Sequence, residues 1–260
     1  MQESGTDPGH VAAVGVGVPG PVDPVRGIGI FGPNIRWRNA PLAAMVRQGL
    51  AAAGLDVPVF IDNDVRVAAR AEFYWGAGKG CSDGVYITVG TGVGSGIVLG
   101  GRLFYGSSFI GGEVGHITVD PEGPVCGCGN RGCLETLAAA PAIARMARAV
   151  RPEWTDARDV HAAAQAQDPD ALAILDRAAY YLSFGVGAFV NILNPELVII
   201  GGGVSRAGEY LLGPLRRHLR NRAMPPAYER CRVVLARFTD AAGALGGIAL
   251  ALERERGDAP

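Results

Sequence analysis

The sequence predicts an α/β fold with mixed sheets, and three observations support that class. Strand-like runs rich in valine and isoleucine alternate with helical patterns, which is typical of a mostly parallel sheet. Two of the runs follow one another closely and add an antiparallel hairpin. Of the 260 residues, 48% are hydrophobic and 19% are charged, so the chain can bury a large core in one or two domains.

The strands are predicted where short runs are rich in β-branched residues. In chain order these runs are Val11–Val18, Val57–Ile61, Val85–Val89, Gly96–Leu99, Leu197–Ile200 and Arg232–Ala236. The third and fourth runs form the expected hairpin.

Helices are predicted between the strands, where apolar residues recur at helical spacing. These segments are Leu42–Ala53, Val65–Trp75, Ala140–Val150, Ala162–Leu193 in one or two pieces, Ala207–Arg222 and Ala241–Arg254. The charge-free stretch 178–195 within the fourth segment contains Ser183, Asn191 and Asn194. It is therefore interpreted as a buried helix and not as a membrane span of about 20 residues.

The charge balance excludes one class of partner. The chain has 24 basic and 25 acidic residues, a net charge of -1, so no overall positive field draws it to nucleic acid or to an anionic membrane. Its first ten residues lack the pattern of a secretory signal. Three of its five cysteines crowd into eight residues, which suits a metal site in a reducing compartment. We expect a cytoplasmic protein with no membrane or nucleic-acid partner.

The strongest cluster of chemistry-bearing residues is His116, Cys126, Cys128 and Cys133, in EVGHITVDPEGPVCGCGNRGCLE. Thiolates and a neutral imidazole match Zn²⁺, and a Cys₃His set gives a closed tetrahedral shell. A closed shell indicates a structural metal and not a hydrolytic one. The alternative interpretation is a group of buried free thiols in a loop.

The triplet Asp62-Asn63-Asp64 lies where a predicted strand ends and a predicted helix begins. Ligands bind at the carboxyl ends of strands in open α/β sheets, and a carboxylate there can accept a proton from a substrate hydroxyl. Asp64 is equally suited to be the N-cap of the following helix. Taken alone, the residues favour the capping role.

Two glycine-rich turns are candidates for nucleotide contacts. The hairpin VYITVGTGVGSGIVLGG presents backbone N–H groups that can hold phosphate oxygens, although a bulged hairpin would look the same. The turn Gly201–Gly203 follows a strand and precedes a helix, a geometry that suits a ribose or a base edge. By contrast, the GxGxxG match ending at Gly20 runs into prolines, and Gly76–Ser82 lacks P-loop spacing.

Together these residues resemble the ROK family of sugar kinases and sugar-responsive repressors. The resemblance is carried by ExGH at Glu113–His116, CxCGxxGCxE at Cys126–Glu135, the DND triplet, VGVGVPGPVDP and LNPELVIIGGGVS. It implies an actin-like ATPase (ribonuclease H-like) fold of two lobes, with sugar and nucleotide in the cleft. The glycine-rich segment 76–84 is the predicted boundary. The expected small lobe is 1–78, completed by 245–260, and the large lobe is 79–244 with a zinc-binding loop at 113–135.

The resemblance also implies roles for single residues. Asp64 matches the base that takes the proton of the attacking sugar hydroxyl. The matching sugar contacts are Gly20, Asn34, Asn63, Glu113, His116 and Glu135. The matching nucleotide contacts are Gly90, Thr91, Gly92, Gly94, Gly201, Gly202 and Gly203. The implied cofactors are structural Zn²⁺, ATP and Mg²⁺, and a homo-oligomer, dimer or tetramer, is expected.

This sequence departs from the family pattern at two places. Family members carry a strand and a DxGGT phosphate loop ahead of VGVGVPGP, and the 260 residues contain no such segment. We expect either a start further upstream or a shortened protein with an incomplete nucleotide site. The second departure is Arg66, where family kinases commonly have Asn. An arginine near Asp64 lowers the pKa of that carboxyl, unless it points to solvent.

The predicted function is ATP-dependent phosphorylation of a hexose at its 6-hydroxyl, similar to that of bacterial glucokinase. Two alternatives remain open. One is the sugar-binding core of a repressor-type regulator, whose DNA-binding helices would precede this segment. The other is a non-catalytic remnant that binds sugar and zinc but no ATP.

Overall fold

The computed structural model describes residues 7–32 and 37–257 of the chain. It divides the chain into two compact units. Unit one comprises Met1–Trp75, Tyr105–Gly111 and Asp240–Pro260, and unit two comprises Gly76–Phe104 and Gly112–Thr239.

The secondary structure alternates along the chain as the valine and isoleucine pattern predicts. The strands are β1 Val14–Val18, β2 Val22–Asp23, β3 Ile28–Gly32, β4 Trp37–Ala40, β5 Val59–Asn63, β6 Gly84–Val89, β7 Val93–Leu99, β8 Arg102–Phe104, β9 Leu197–Gly201 and β10 Arg232–Leu235. The helices are α1 Leu42–Ala52, α2 Asp64–Trp75, α3 Leu134–Ala138, α4 Ala140–Val150, α5 Ala157–Gln165, α6 Pro169–Leu193, α7 Glu209–Leu219, α8 Pro225–Arg230 and α9 Ala242–Glu255.

The sheets confirm the predicted α/β class with mixed strand directions. In unit one β1 and β5 are parallel, with Val16 opposite Ile61, while β2, β3 and β4 form a separate antiparallel sheet. Unit two has one sheet of order β10-β9-β6-β7-β8. In that sheet β10, β9 and β6 run parallel, and the β6–β7 hairpin is antiparallel as predicted.

The structure differs from the predicted elements where segments are short or locally capped. Strands β2 and β8 and helices α3 and α8 were not predicted, because each has too few residues to show a period. Strands β3 and β4 were not predicted because their sequences, IGIFG and WRNA, are not runs rich in β-branched residues. The predicted helix 162–193 is two helices. Asp168 accepts hydrogen bonds from the N–H groups of Asp170 and Ala171, and Pro169 starts α6 at its first turn, where a missing N–H costs nothing.

The core of unit two is formed by its sheet together with helices α3 to α7. Every residue of β9 is buried, and α6 buries Leu175, Leu182 and Val186 completely or almost so. Helix α6 is also the most apolar long helix, as the charge-free stretch predicts. Within the described residues, no helix has the length and hydrophobicity that crossing a bilayer requires.

In unit one, the backbone of α9 packs directly against the backbones of β1 and α2. A Cβ on Gly15 would overlap the Gly247 carbonyl, and a Cβ on Gly246 would overlap the carbonyl of Val67. Both helical glycines are buried. The small residues of α9 therefore set how closely this helix packs on β1 and α2, and they hold in place the helix that begins at Asp64.

We expect Gly246→Ala to destabilise the fold by about 1–3 kcal/mol, since its methyl group forces α9 away from α2. Gly243→Ala is the matched control, because no atom lies within 4 Å of its added Cβ. That change should be neutral, or stabilising by up to about 1 kcal/mol through helix propensity. Urea unfolding measures both, and equal destabilisation by the two variants would contradict this packing.

Candidate functional site

A buried ionic network surrounds Asp62 at the end of β5. The Asp62 side chain is completely buried, and Oδ1 accepts from Arg66 Nε at 2.7 Å while Oδ2 accepts from Arg70 Nη1 at 2.7 Å. The Tyr105 hydroxyl donates to Oδ2 at 2.9 Å, and the Asn63 N–H donates to Oδ1 at 2.7 Å. Burial alone would raise the pKa of Asp62, but Arg70 and Arg66 outweigh it and hold that pKa below its usual value.

Arg70 and Arg66 connect this carboxylate to distant parts of unit one. Arg70 Nε donates to Glu253 on α9 at 2.7 Å, and its Nη2 donates to the Tyr105 hydroxyl at 2.6 Å. Arg66 Nη1 donates to the carbonyl of Phe109 at 3.0 Å. The network thus holds β5, α2, α9 and the segment 105–111 together around one charge.

The sequence left open whether Arg66 lies near Asp64 or points to solvent, and the structure shows that it pairs with Asp62. Its side chain is buried, forms an ion pair with Asp62, and lies over the ring of Tyr105 at 4.9 Å. It therefore neither points to solvent nor pairs with Asp64. Arg66 lowers the pKa of Asp64 only as a lesser effect.

Asn63, and not Asp64, is the residue that caps α2. Its Oδ1 accepts from the N–H groups of Val65 at 3.0 Å and Arg66 at 3.2 Å, which have no backbone partner in the first helical turn, while Asp64 Oδ1 shares only the Val65 N–H, at 2.9 Å. Its amide group donates to Asp64 Oδ1 at 3.1 Å and to the Gly20 carbonyl at 3.1 Å. The side chain of Asn63 therefore orients Asp64 and joins it to the turn after β1.

Asp64 is the first residue of α2 and retains solvent-accessible surface. Desolvation by the surrounding protein nevertheless raises the pKa of its carboxyl, against smaller opposing effects of the Val65 N–H and Arg66. A carboxylate with a raised pKa and access to solvent is a stronger proton acceptor than an ordinary aspartate.

In unit one the expected sugar contacts Gly20 and Asn63 and the expected base Asp64 come together through these hydrogen bonds. Gly20 has a φ of 84°, and a Cβ there would overlap the Phe31 carbonyl, so glycine is required at this turn. Asn34 lies outside the described residues.

In unit two the His116, Cys126, Cys128 and Cys133 side chains converge. Their ligand atoms all lie within 4.8 Å of one another, with Cys126 Sγ 3.6 Å from His116 Nδ1 and Cys128 Sγ 3.7 Å from Cys133 Sγ. Ligands placed about 2.3 Å from a tetrahedral zinc ion lie about 3.8 Å apart. The donor set and its spacing therefore fit one zinc ion. The loop that carries the thiols needs Gly132 at a φ of 63°, packed against the Asp120 carbonyl.

The two ring nitrogens of His116 face different groups. Nδ1 lies toward the thiols, while Nε2 lies 4.0 Å from Glu113 Oε2. Both the His116 and Glu113 side chains are substantially exposed, at 36% and 44%. An ion on Nδ1 would fix the tautomer and leave Nε2–H as a donor toward Glu113 and toward a ligand.

Glu135, on the first turn of α3, reaches the glycine-rich turn between β6 and β7. Its Oε2 accepts from the Val93 N–H at 3.1 Å. A Cβ on Gly92 would overlap this carboxylate oxygen, so glycine at 92 allows the contact. Gly90 and Thr91 complete the turn, and Gly94 lies in β7 opposite Thr88.

The second glycine turn is packed on β6. A Cβ on Gly201 would overlap the Tyr86 hydroxyl, and a Cβ on Gly202 would come within 2.5 Å of the Val89 carbonyl oxygen. No atom lies within 4 Å of a Cβ on Gly203 or on Gly90. These two positions leave space where a ligand could approach the backbone.

Sequence reasoning missed the Asp62 network, although one signal could have found it. Arg66 and Arg70 lie one helical turn apart on α2. Both are therefore on the same face of that helix, the face that contacts Asp62 of β5. In unit two, His218 Nε2 lies 3.1 Å from Asp176 Oδ1, a contact between distant residues that no local sequence pattern indicates.

Comparisons with known proteins agree on one family. The ROK family model matches residues 2–254. A glucokinase of Halalkalibacterium halodurans is 39% identical over 257 residues, covering 93% of this chain and 76% of that protein. A xylose repressor of Caldicellulosiruptor bescii is 33% identical over 259 residues, covering 94% of this chain and 63% of that protein.

A solved structure agrees with these relatives. It is that of a ROK family glucokinase from Streptomyces griseus in complex with glucose and AMPPNP. The similarity has a TM-score of 0.85 at 34% identity and covers 96% of this chain and 84% of that one.

Removing one partner of the buried network should be costly. We expect Arg70→Leu to lower the free energy of unfolding by about 3–5 kcal/mol, because it leaves the buried charge of Asp62 undercompensated. The control is Arg47→Leu, which breaks a pair with Asp56 whose side chains are 57% and 67% exposed and should change stability by about 1 kcal/mol or less.

The same network predicts the sign of a pH effect. Since the folded-state pKa of Asp62 is lowered, its stabilisation is present above the ordinary aspartate value of about 3.9 and is lost as the pH falls below it. Urea midpoints measured from pH 6 to pH 3 should show this loss in the wild type and a smaller one in Arg70→Leu. If the urea midpoints of the two proteins fell equally between pH 6 and pH 3, Asp62 would not be the source of the pH effect.

Proposed function

The chain belongs to the ROK family, and on that premise we propose that it is an ATP- and Mg²⁺-dependent kinase of a hexose, acting on the 6-hydroxyl of glucose or a close relative. Glucokinase homologues support sugar phosphorylation as the general activity. The observation that carries the proposal is the geometry at the start of α2, where Asn63 orients Asp64 and desolvation raises the pKa of its carboxyl.

In the proposed reaction Asp64 is the general base. Its carboxylate takes the proton of the sugar hydroxyl as that oxygen attacks the γ-phosphorus of ATP, and ADP leaves with the bond electrons. Phosphoryl transfer depends mainly on positioning and charge stabilisation, so the base need only direct the nucleophile. Mg²⁺ bound with ATP would neutralise the charge on the phosphates.

The sugar contacts proposed in unit one are Gly20, Asn34 and Asn63. The existing bond between Asn63 and the Gly20 carbonyl means that a sugar would meet these two residues as a pair. Those proposed in unit two are Glu113, His116 and Glu135. The exposure of Glu113 and His116 is consistent with that role.

The nucleotide contacts proposed are all in unit two. The β6–β7 turn with Gly90, Thr91, Gly92 and Gly94 is the proposed phosphate-binding turn. The turn Gly201–Gly203 is the proposed adenosine contact. Open space at Gly90 and Gly203 supports an approach of the ligand to the backbone at both turns.

We further propose that His116, Cys126, Cys128 and Cys133 hold one structural zinc ion. Zinc on Nδ1 would orient His116 so that Nε2 is available to a sugar hydroxyl, which links the metal to substrate binding. A homo-oligomer, a dimer or tetramer, remains a prediction from the family alone.

Similarity to a xylose repressor supports a second candidate function, that of a sugar-binding regulator. As the core of a regulator, the chain would bind a sugar without turning it over. A non-catalytic remnant would behave in the same way and would in addition fail to bind ATP.

The kinase proposal predicts that Mg²⁺-ATP and a hexose give sugar-dependent ADP release. We would measure it in a coupled assay with glucose, mannose, fructose, N-acetylglucosamine and N-acetylmannosamine.

Asp64→Asn should lower turnover by about 10²–10⁴-fold while changing sugar affinity only slightly. Asp56→Asn, an exposed aspartate of the same unit, is the control and should keep full activity. Undiminished turnover in Asp64→Asn would refute the role of Asp64, and sugar binding without turnover in the wild type would favour the regulator or the remnant.

The zinc proposal predicts one zinc ion per chain in reduced protein, measured by elemental analysis. Cys128→Ser should lose that ion together with much of the thermal stability, because metal binding contributes to folding free energy. Cys231→Ser is the control, since Cys231 lies outside the cluster and should retain the ion. Well under one equivalent of zinc in the wild type would contradict the site.

A further inference from the structure

Three separate sequence motifs meet at one residue of unit two, Val93. Its N–H donates to Glu135 of the CxCGxxGCxE motif at 3.1 Å. Its carbonyl lies against Gly115 of the ExGH motif, where a Cβ would overlap it. Val93 itself is buried and begins β7 directly after the glycine-rich turn.

The opposite end of the same turn is held by the same helical segment. The Ala140 N–H, at the start of α4, donates to the Gly90 carbonyl at 2.8 Å. Five residues earlier, Glu135 accepts from Val93. The turn from Gly90 to Val93 is therefore fastened at both ends to the segment 135–140, which begins two residues after Cys133.

Glu135 has one oxygen committed and one available. Oε2 bonds Val93, whereas Oε1 accepts no hydrogen bond from the residues that the structure describes. The side chain is partly exposed. A carboxylate with this arrangement can accept a hydrogen bond from a ligand hydroxyl at Oε1, while Oε2 continues to accept the hydrogen bond from the Val93 N–H.

We propose that Glu135 is a positioning residue that couples sugar binding to the phosphate-binding turn through the Val93 N–H. This inference rests on the proposed function, because it assumes that the ligand hydroxyl belongs to a sugar. A sugar that orders the Glu135 side chain also orders the turn, so the nucleotide binds to a turn that is already fixed. The coupling is reciprocal, and each ligand raises the affinity for the other by the same factor.

Gly92 has a specific part in this arrangement. A methyl group there would occupy the position of Glu135 Oε2 and displace the carboxylate from Val93. We therefore assign the glycine requirement at 92 to the approach of Glu135. At Gly90 the added Cβ would meet nothing within 4 Å. A methyl group at this position of the same turn therefore leaves the hydrogen bond between Glu135 and Val93 intact.

The experiment measures glucose affinity by calorimetry with and without AMPPNP, a non-hydrolysable ATP analogue. The wild type should bind glucose about 5- to 150-fold more tightly when AMPPNP is present. With AMPPNP at saturation, Gly92→Ala should reduce that factor to nearly one. The control Gly243→Ala, whose added Cβ meets no atom within 4 Å and which lies outside the proposed sites, should keep it. An unchanged factor in Gly92→Ala, or an equal loss in both variants, would overturn the proposal.

Amide hydrogen exchange by NMR tests the contact without any ligand. The Val93 amide should exchange slowly in the wild type and in Gly90→Ala, and at least tenfold faster in Gly92→Ala, because a hydrogen-bonded amide is protected. If Gly92→Ala does not fold, Glu135→Asp is the second variant, since its shorter side chain retracts the carboxylate from Val93.

The two readouts separate the two proposals. A wild-type chain that binds none of the hexoses overturns the proposed function, and the exchange rates still decide whether Glu135 holds the turn. A wild-type chain that binds glucose but exchanges the Val93 amide as fast as Gly92→Ala overturns the present inference and leaves the kinase proposal intact.

Discussion

The carboxylate of Asp62 is the charge on which unit one depends. A fully buried aspartate is tolerated only when its partners compensate the loss of hydration, and here two arginines, a tyrosine and a backbone N–H do so. The same side chains reach α9 and the segment 105–111. Because Asp62 immediately precedes Asn63 and Asp64, the network that stabilises the unit also fixes the backbone from which the proposed base projects. Arg66 is part of this network and forms its ion pair with Asp62, so its effect on Asp64 is a lesser one.

In unit two, a small number of contacts joins the Cys₃His cluster to the turn between β6 and β7. The residues proposed to hold zinc lie within one stretch of chain, and Cys133 is the N-cap of α3. Two residues later Glu135 bonds the turn between β6 and β7, while Gly115, beside His116, packs against Val93. An ion held by His116 and the three thiols would thus also restrain the segments that touch this turn. The Cys₃His cluster and the glycine turn, separate in the sequence, are thus linked by a continuous set of contacts.

The sequence allowed some of this to be predicted and not the rest, for physical reasons. The Cys₃His cluster was predictable because its ligands are close in sequence and chemically distinctive. The main strands and helices were predictable from their hydrophobic periods. Asn63 was not identified as the cap, because Asn and Asp are equally good caps and the choice depends on where β5 stops. The requirement for Gly92 was attributed to phosphate binding, since the approach of Glu135 from 43 residues further along the chain leaves no local pattern.

The central claim is that the Asp62 network leaves Asp64 as a carboxylate with a raised pKa at the start of α2. The most direct test is an NMR titration of the aspartate side-chain carbons in the folded chain, with the Asp64 signal assigned from Asp64→Asn. The account predicts a midpoint for Asp64 above the ordinary aspartate value of about 3.9. A midpoint at or below that value would mean that the hydrogen bonds of Asp64 and the charge of Arg66 outweigh desolvation, and would contradict the account.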